Sequence, residues 1–182
     1  MAELYLVRHG RATAAWNEDD DPGLDDTGRL QARTVANALK RRRPMGIVSS
    51  PLARARETAI PLSEAWGCPV KIEERVGEIP SPVKGLKERG IWLGHVMTKK
   101  WPDLPRDLQI WREGVIEALL SFDRDTVVFS HFIAINAAVG KATGDERVVS
   151  FRPCNGSISL VRTKSGRLQF IRLGSQGETE VL

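Results

Sequence analysis

Residues 4–10 read Leu-Tyr-Leu-Val-Arg-His-Gly, an apolar run that ends in an arginine, a histidine and a glycine. Leu4–Val7 mixes aliphatic, aromatic and β-branched side chains between charged neighbours, which predicts a short buried strand. Asp125–Ser130 has the same character, because its central residues all favour β-structure. Each of these two predicted strands is followed closely by a histidine.

Further strands and helices alternate along the chain. Strands are predicted at Gly46–Ser49 and Val70–Ile72, and the segments Ser157–Val161 and Leu168–Leu173 are typical of an antiparallel hairpin. Helical spacing of apolar residues predicts helices from Thr27 to the basic run Lys40–Arg43, from Ser50 to about Trp66, from Leu108 to Phe122 and from Phe132 to about Lys141. This alternation indicates a three-layer α/β/α sandwich with a mostly parallel sheet and the hairpin at its antiparallel C-terminal edge.

Two local signals refine this pattern. Asp25–Thr27 offers N-caps for the first helix, and Ser50 followed by Pro51 is expected to cap the second. The length of 182 residues favours one domain over residues 1–182. Residues 79–105 contain four prolines and three glycines without sustained periodicity, so an irregular, lid-like insertion is expected there.

The composition is that of a globular protein with a mild basic balance. Lys and Arg exceed Asp and Glu by 27 to 23, and the resulting charge of +4 suits an anionic ligand. The basic run Lys40–Arg43 is explained by a helix end, so no nucleic-acid partner is expected. Cys68 and Cys154 cannot form a disulfide framework, and no apolar segment is long enough for a signal peptide or a membrane span. These features predict a cytoplasmic protein without a membrane partner.

Two of the three histidines, His9 and His131, follow predicted strands. Parallel sheets bind ligands at the carboxyl ends of their strands, so both histidines are expected at one site. Arg8 precedes His9, and Arg54 lies one turn into the second helix, with Arg56 as an equal alternative. Guanidinium groups and a helix N-terminus bind phosphate oxygens, so these residues outline a phosphate pocket.

The remaining histidine and an acidic run are given no catalytic role. His95 lies within residues 79–105 and is interpreted as a surface or lid-packing residue. The acidic residues between positions 18 and 26 could hold a divalent cation, but a solvated loop before a helix is the favoured interpretation. No metal or cofactor is therefore expected.

Taken together, these motifs resemble the histidine phosphatase superfamily, which includes the phosphoglycerate mutase-like enzymes. The similarity rests on Leu6–Gly10, on Ser49–Ala55, on Ser130-His131 and on Asn155–Ser157. An Arg-His-Gly triplet alone would be a weak signal. Its place after the first strand and its spacing to the serine-proline-leucine segment make the combination specific.

The resemblance implies roles for four of these residues. His9 would be the nucleophile that accepts the phosphoryl group as a phosphohistidine. Arg8, Arg54 and His131 would hold the phosphoryl oxygens and their developing charge.

The resemblance also implies a carboxylate after the third strand, which would protonate the leaving oxygen and then activate water. Glu78 is the prediction for this group. Glu73 and Glu74, which lie nearer the strand, are the alternatives and are expected to face solvent.

Several positions depart from the family pattern or could vary with the substrate. Position 11 commonly carries Glu or Gln and here is Arg11, and Phe132 stands where a glycine commonly follows the second histidine. Thr13 or Asn17 would supply a polar contact to phosphate from the first loop. The further candidates for phosphate or substrate binding are therefore Gly10, Arg11, Thr13, Asn17 and Phe132.

The sequence thus predicts a metal-independent phosphatase that hydrolyses phosphate monoesters of small molecules or proteins. Phosphoglycerate mutase activity is an alternative, although the compact chain favours hydrolysis because the family's mutases are generally longer. A pseudo-enzyme that only binds a phosphorylated partner is a third hypothesis. The presence of Glu78 argues against it, because binding alone needs no acid.

Overall fold

The computed structural model describes residues 1–15 and 18–177, which form a mixed sheet flanked by helices. The strands are β1 (Ala2–Arg8), β2 (Gly46–Ser49), β3 (Val70–Ile72), β4 (Thr126–Ser130), β5 (Ile158–Lys164) and β6 (Arg167–Arg172). Their spatial order is β3-β2-β4-β1-β5-β6. Strands β1 to β4 run parallel, and β5 and β6 form the antiparallel edge hairpin that the sequence predicts.

The two central strands end side by side. β1 pairs with β4 so that Arg8 lies opposite Ser130. Both strands are buried over nearly their whole length. His9 and His131 therefore follow at the same edge of the sheet, as predicted.

Helices cover both faces of the sheet. They are α1 (Asp26–Leu39), α2 (Ala53–Trp66), α3 (Leu86–Val96), α4 (Arg106–Leu120) and α5 (Phe132–Thr143). In β1, Tyr5 and Val7 pack with apolar residues of α1 and α2, whereas Leu4 and Leu6 pack with those of α4 and α5. This alternation confirms the three-layer α/β/α sandwich. None of the helices in the described part of the chain has the length and apolarity needed to cross a lipid bilayer.

The cap of α2 differs from the prediction. Its N-cap is Leu52 rather than Ser50, and Leu52 makes no side-chain capping hydrogen bond. The Ser50 hydroxyl accepts a 3.3 Å hydrogen bond from the Leu52 N–H and lies 2.6 Å from Nε2 of His131. A tertiary contact therefore engages the side chain that the local pattern assigned to the helix end. Asp25 does cap α1, where it accepts a hydrogen bond from the Gly28 N–H at 2.6 Å.

About half of residues 79–105 are helical, whereas the sequence predicts an irregular insertion. They contain α3 and a one-turn 3-10 helix. Leu93 of α3 belongs to the same buried apolar cluster as Phe132 at the start of α5. Gly90 is buried while its neighbour Ile91 is 76% exposed, which obscures the apolar periodicity of the helix. Tertiary packing therefore stabilises α3 more than its own pattern does.

The chain passes close to itself where the loop after β1 meets the start of α1. A β-carbon added at Gly10 would lie 2.5 Å from the carbonyl oxygen of Gly28, and one added at Gly28 would lie 2.1 Å from that of Arg11. Only glycine fits such an approach of two backbones without a shift. This contact fixes the residue that follows His9 against α1.

We expect Gly28→Ala to lower the free energy of unfolding by about 1–3 kcal/mol, because backbone atoms must move to admit the methyl group. Gly114→Ala is the control, since a β-carbon there would meet no described atom outside its own helix within 4 Å. Urea denaturation of both variants is the measurement. Equal stability of the two would contradict the close approach at Gly28.

Candidate active site

Two histidine rings meet at the carboxyl edge of the sheet. His9 follows β1, and its backbone N–H donates to the backbone carbonyl of Ser130 at 3.0 Å, which ties His9 to the end of β4. His131 is the N-cap of α5. Both side chains are buried, and their ring centroids lie 5.1 Å apart. The structure therefore brings together the two histidines that the sequence places at strand ends.

The hydrogen bonds of His9 indicate its tautomer. Nδ1 lies 2.7 Å from the carbonyl oxygen of Gly10, and because a carbonyl only accepts, Nδ1 carries the proton. Nε2 then has a lone pair, towards which Nε–H of Arg54 points at 3.3 Å. Burial lowers the pKa of His9 well below its ordinary value, and the charges of Arg54 and Arg8 act in the same direction. The ring is therefore neutral at physiological pH and has a nucleophilic nitrogen.

Arg8 and Arg54 are both buried beside this ring. Arg54 lies in the first turn of α2, whereas the alternative, Arg56, is exposed. Arg8 donates from Nη1 to the carbonyl of Pro153 at 2.8 Å, and its guanidinium carbon lies 5.0 Å from the centre of the Phe132 ring. Burial lowers the pKa of Arg8 to about 10 and also lowers that of Arg54. Even so, both side chains stay cationic at neutral pH and create a strongly positive environment.

His131 has one engaged nitrogen and one without a partner. Nε2 lies 2.6 Å from the Ser50 hydroxyl. Nδ1 is buried and has no hydrogen-bond partner among residues 1–15 and 18–177. Burial lowers the pKa of His131 well below its ordinary value, and the Arg54 charge adds to that shift. With Nε2 accepting the Ser50 proton, Nδ1 would carry a proton that an anionic ligand could accept.

Glu78 lies between the one-turn 3-10 helix Glu74–Val76 and the start of α5. Its carboxylate accepts hydrogen bonds from the N–H of Ile79 at 2.9 Å and from the N–H of Ile133 at 3.2 Å. Burial raises the pKa of Glu78, while these hydrogen bonds and then the charges of the two site arginines oppose the shift. A carboxyl with a raised pKa is suited to donate a proton near neutral pH.

The alternatives to Glu78 lie elsewhere. Glu73 forms an ion pair with Arg75 at 2.8 Å. Glu74 is exposed on the 3-10 helix. The Ser130 hydroxyl donates to the Val76 carbonyl at 2.7 Å, which ties this turn to the end of β4. The charge of Glu78 acts on both Arg8 and Arg54, whereas the charges of Glu73 and Glu74 do not.

Of the further candidates for phosphate or substrate binding, some lie within the site and others are exposed. The Gly10 N–H donates to the Thr58 hydroxyl at 2.9 Å, within the site. Arg11 is exposed, and its guanidinium pairs with Asp25. Thr13 is exposed, and its N–H donates to the carbonyl of Gly23 at 2.9 Å. Asn17 lies outside the described residues.

The acidic loop contacts α3 and the start of α2. Asp20 pairs with Arg89 of α3 at 2.6 Å, and Asp21 accepts a 2.7 Å hydrogen bond from the Ala53 N–H at the start of α2. Within residues 1–15 and 18–177 there is no group of three or more His, Cys, Asp or Glu side chains arranged to hold a metal ion. His95 is exposed in the last turn of α3.

Two further side chains support the site, although the sequence predicts no role there for either of them. Asn155 donates from Nδ2 to the His9 carbonyl at 3.0 Å, and Ser50 contacts His131. Both lie in motifs that carry the family resemblance. Their roles depend on contacts between residues that are distant in the sequence, so local spacing gives no sign of them.

The fold and the site define an α/β protein with two histidines and two arginines clustered at the carboxyl ends of neighbouring parallel strands. The chain belongs to the histidine phosphatase superfamily (branch 1), whose family model matches residues 4–176. The resemblance inferred from the motifs is thereby confirmed.

Curated relatives and solved structures agree with this membership. Phosphoserine phosphatase 1 of Hydrogenobacter thermophilus is 34% identical over 119 residues, which cover 62% of this chain and 52% of that protein. The chain likewise spans about half the length of several other curated relatives. A 2,3-bisphosphoglycerate-dependent phosphoglycerate mutase of Thermoplasma acidophilum is 26% identical, with 99% of this chain and 96% of that protein covered. A mycobacterial glucosyl-3-phosphoglycerate phosphatase solved with VO3 shares the fold, with a TM-score of 0.75, 24% identity and coverage of 97% and 100%.

Removing the charge of Arg54 should raise the pKa of His9, because a neighbouring cation disfavours protonation of the imidazole. Ring ¹⁵N spectra followed with pH measure the titration and the tautomer of Arg54→Gln. Arg56→Gln is the matched control, since it removes an exposed guanidinium from the same helix. A His9 pKa that is equal in both variants, or a wild-type His9 protonated on Nε2, would contradict the assigned geometry.

Proposed function

We propose that this chain hydrolyses phosphate monoesters by transferring the phosphoryl group first to Nε2 of His9 and then to water. The observation that carries the proposal is the Nδ1 hydrogen bond of His9 to Gly10, which leaves an unprotonated Nε2 beside buried arginines. A neutral imidazole nitrogen attacks phosphorus without prior deprotonation. The site thus has its nucleophile ready at neutral pH.

The surrounding cations would bind the transferring group. Phosphoryl transfer is catalysed mainly by positioning and by stabilising negative charge on the equatorial oxygens. Arg8 and Arg54 supply that charge from buried positions. Nδ1 of His131, which is buried and has no hydrogen-bond partner among residues 1–15 and 18–177, would donate a further hydrogen bond.

Glu78 completes the proton balance. As the ester bond between phosphorus and oxygen breaks and the bond to His9 Nε2 forms, the leaving oxygen takes the proton of Glu78. In the second step, water attacks phosphorus and gives a proton back to the Glu78 carboxylate. The nitrogen–phosphorus bond breaks, phosphate leaves, and His9 returns to its neutral form.

The names of the relatives support the reaction class and leave the substrate open. They include a phosphoserine phosphatase and glucosyl-3-phosphoglycerate phosphatases. The ester would be a small molecule or a phosphoprotein. A cytoplasmic location, a single domain over residues 1–182 and the lack of a nucleic-acid partner stay predictions.

Mutase activity is the second candidate, because the relative from Thermoplasma acidophilum is covered over 96% of its length. Chain length therefore does not separate the two activities, contrary to the sequence-based expectation. Incubation with 3-phosphoglycerate and 2,3-bisphosphoglycerate distinguishes them. Release of inorganic phosphate without 2-phosphoglycerate supports hydrolysis, and formation of 2-phosphoglycerate supports the mutase.

His9→Ala should lose about 10³-fold or more of kcat/KM on p-nitrophenyl phosphate, because no other group replaces the nucleophile. Rapid quenching of the wild-type enzyme with ³²P-labelled ester should trap an acid-labile, base-stable phosphoprotein that is missing from the variant. His95→Ala, which removes an exposed histidine, is the control and should retain activity. Full activity of His9→Ala would overturn the mechanism, and turnover by neither enzyme would favour the pseudo-enzyme.

Glu78→Gln should lose about 10²–10⁴-fold of kcat/KM on an alkyl phosphate and less on p-nitrophenyl phosphate, whose leaving group needs less protonation.

The pH profile of kcat/KM gives a second test of Glu78. The acid form of Glu78 is lost as pH rises through its raised pKa, and neutral His9 is lost as pH falls through its lowered pKa. The wild-type profile is therefore bell-shaped, and Glu78→Gln should lack the alkaline limb. Glu74→Gln is the control, and an alkaline limb that persists in Glu78→Gln would exclude Glu78 as the acid.

A further inference from the structure

The segment of residues 150–157 is fixed against the catalytic residues at several points. At one end, Oδ1 of the buried Asn136 accepts hydrogen bonds from the N–H of Ser150 at 2.8 Å and of Phe151 at 3.1 Å. Further along, the Pro153 carbonyl accepts from Arg8, and Asn155 donates to the His9 carbonyl. The backbone of this segment is therefore held in a defined position beside the site.

Arg152 is the exposed cation on this segment. Its carbonyl accepts a 3.2 Å hydrogen bond from the Gly177 N–H, which fixes its backbone. Its guanidinium carbon lies 5.6 Å from the centre of the Phe132 ring, and that of Arg8 lies 5.0 Å from the same ring. The buried Phe132 ring thus holds one arginine inside the site and one at its surface.

Arg152 has no acidic partner in the part of the chain that the structure describes. No carboxylate among residues 1–15 and 18–177 forms a salt bridge with it. Burial lowers the pKa of Arg8 to about 10, and the charge of Arg152 acts in the same direction. Two cations that lie near the same aromatic ring and repel each other favour a ligand with negative charge at both positions.

We propose that Arg152 binds a second anionic group of the substrate, a carboxylate or another phosphate, while Arg8 binds the phosphoryl group that is transferred. The inference rests on the proposed phosphatase function and narrows its substrates to esters with a negative charge near the reacting phosphate. Arg152 then determines specificity without taking part in the chemical step.

Three esters of similar size test the inference: ethyl phosphate has no second charge, phosphoglycolate has a carboxylate, and ethylene glycol bisphosphate has a second phosphate. The measured quantity is the ratio of kcat/KM for each anionic ester to that for ethyl phosphate. In Arg152→Gln this ratio should fall on the order of tenfold, the usual effect of losing a charged hydrogen bond, and mainly through KM. Arg152→Lys should restore most of it. The esters whose ratio falls show whether a carboxylate, a phosphate or both are bound.

Arg167→Gln is the matched control. It removes the same charge from the start of β6, which pairs with the end of β5 and so lies at the far end of the sheet from His9. Its ratios should equal those of the wild type. If Arg152→Gln also leaves the ratios unchanged, or lowers activity on all three esters equally, Arg152 does not bind a second anionic group of the substrate. The phosphatase proposal would still stand in that case. If the wild type hydrolyses none of the esters or p-nitrophenyl phosphate, the phosphatase proposal itself fails.

Discussion

At the centre of the sheet β1 pairs with β4 so that Arg8 lies opposite Ser130, and the groups of the candidate site are placed relative to that pairing. Because the strands are parallel, both end at the same edge, and the residues that follow them meet there. The Ser130 carbonyl accepts from the N–H of His9, while the Ser130 hydroxyl donates to Val76 just before Glu78. One strand end thus positions the proposed nucleophile and the proposed acid together.

The same pairing concentrates positive charge in a buried place, where it is costly without a partner. Burial disfavours the charged form of His9 and of His131, and the nearby arginines reinforce this effect. The arginines, with far higher ordinary pKa values, remain cationic, whereas the histidines become neutral. Burial therefore separates the two roles, since the same pocket keeps a nucleophile unprotonated and retains charge for an anionic ligand. A bound phosphate would offset the remaining charge.

The sequence predicts those parts of the fold and site that depend on local pattern. The strands before His9 and His131 are short apolar runs, and their parallel arrangement follows from the alternation of strands and helices. The choice between Arg54 and Arg56 needed the structure. Residues two positions apart on a helix point in directions about 200° apart, and the sequence does not show which direction faces the site. The bond from Ser50 to His131 spans 81 positions, and α3 is stabilised by packing on α5, so neither leaves a local signal.

Phe132 shows how a departure from a family pattern can affect several functions at once. Its ring belongs to the buried cluster that holds α3, and two guanidinium groups lie over the same ring. A glycine at this position would provide neither the apolar surface for α3 nor the aromatic face for the arginines. The larger side chain therefore links the packing of residues 86–96 to the positions of Arg8 and Arg152. A change in that packing would move the two guanidinium groups more than His9, because His9 is held separately by Gly10, Ser130 and Asn155.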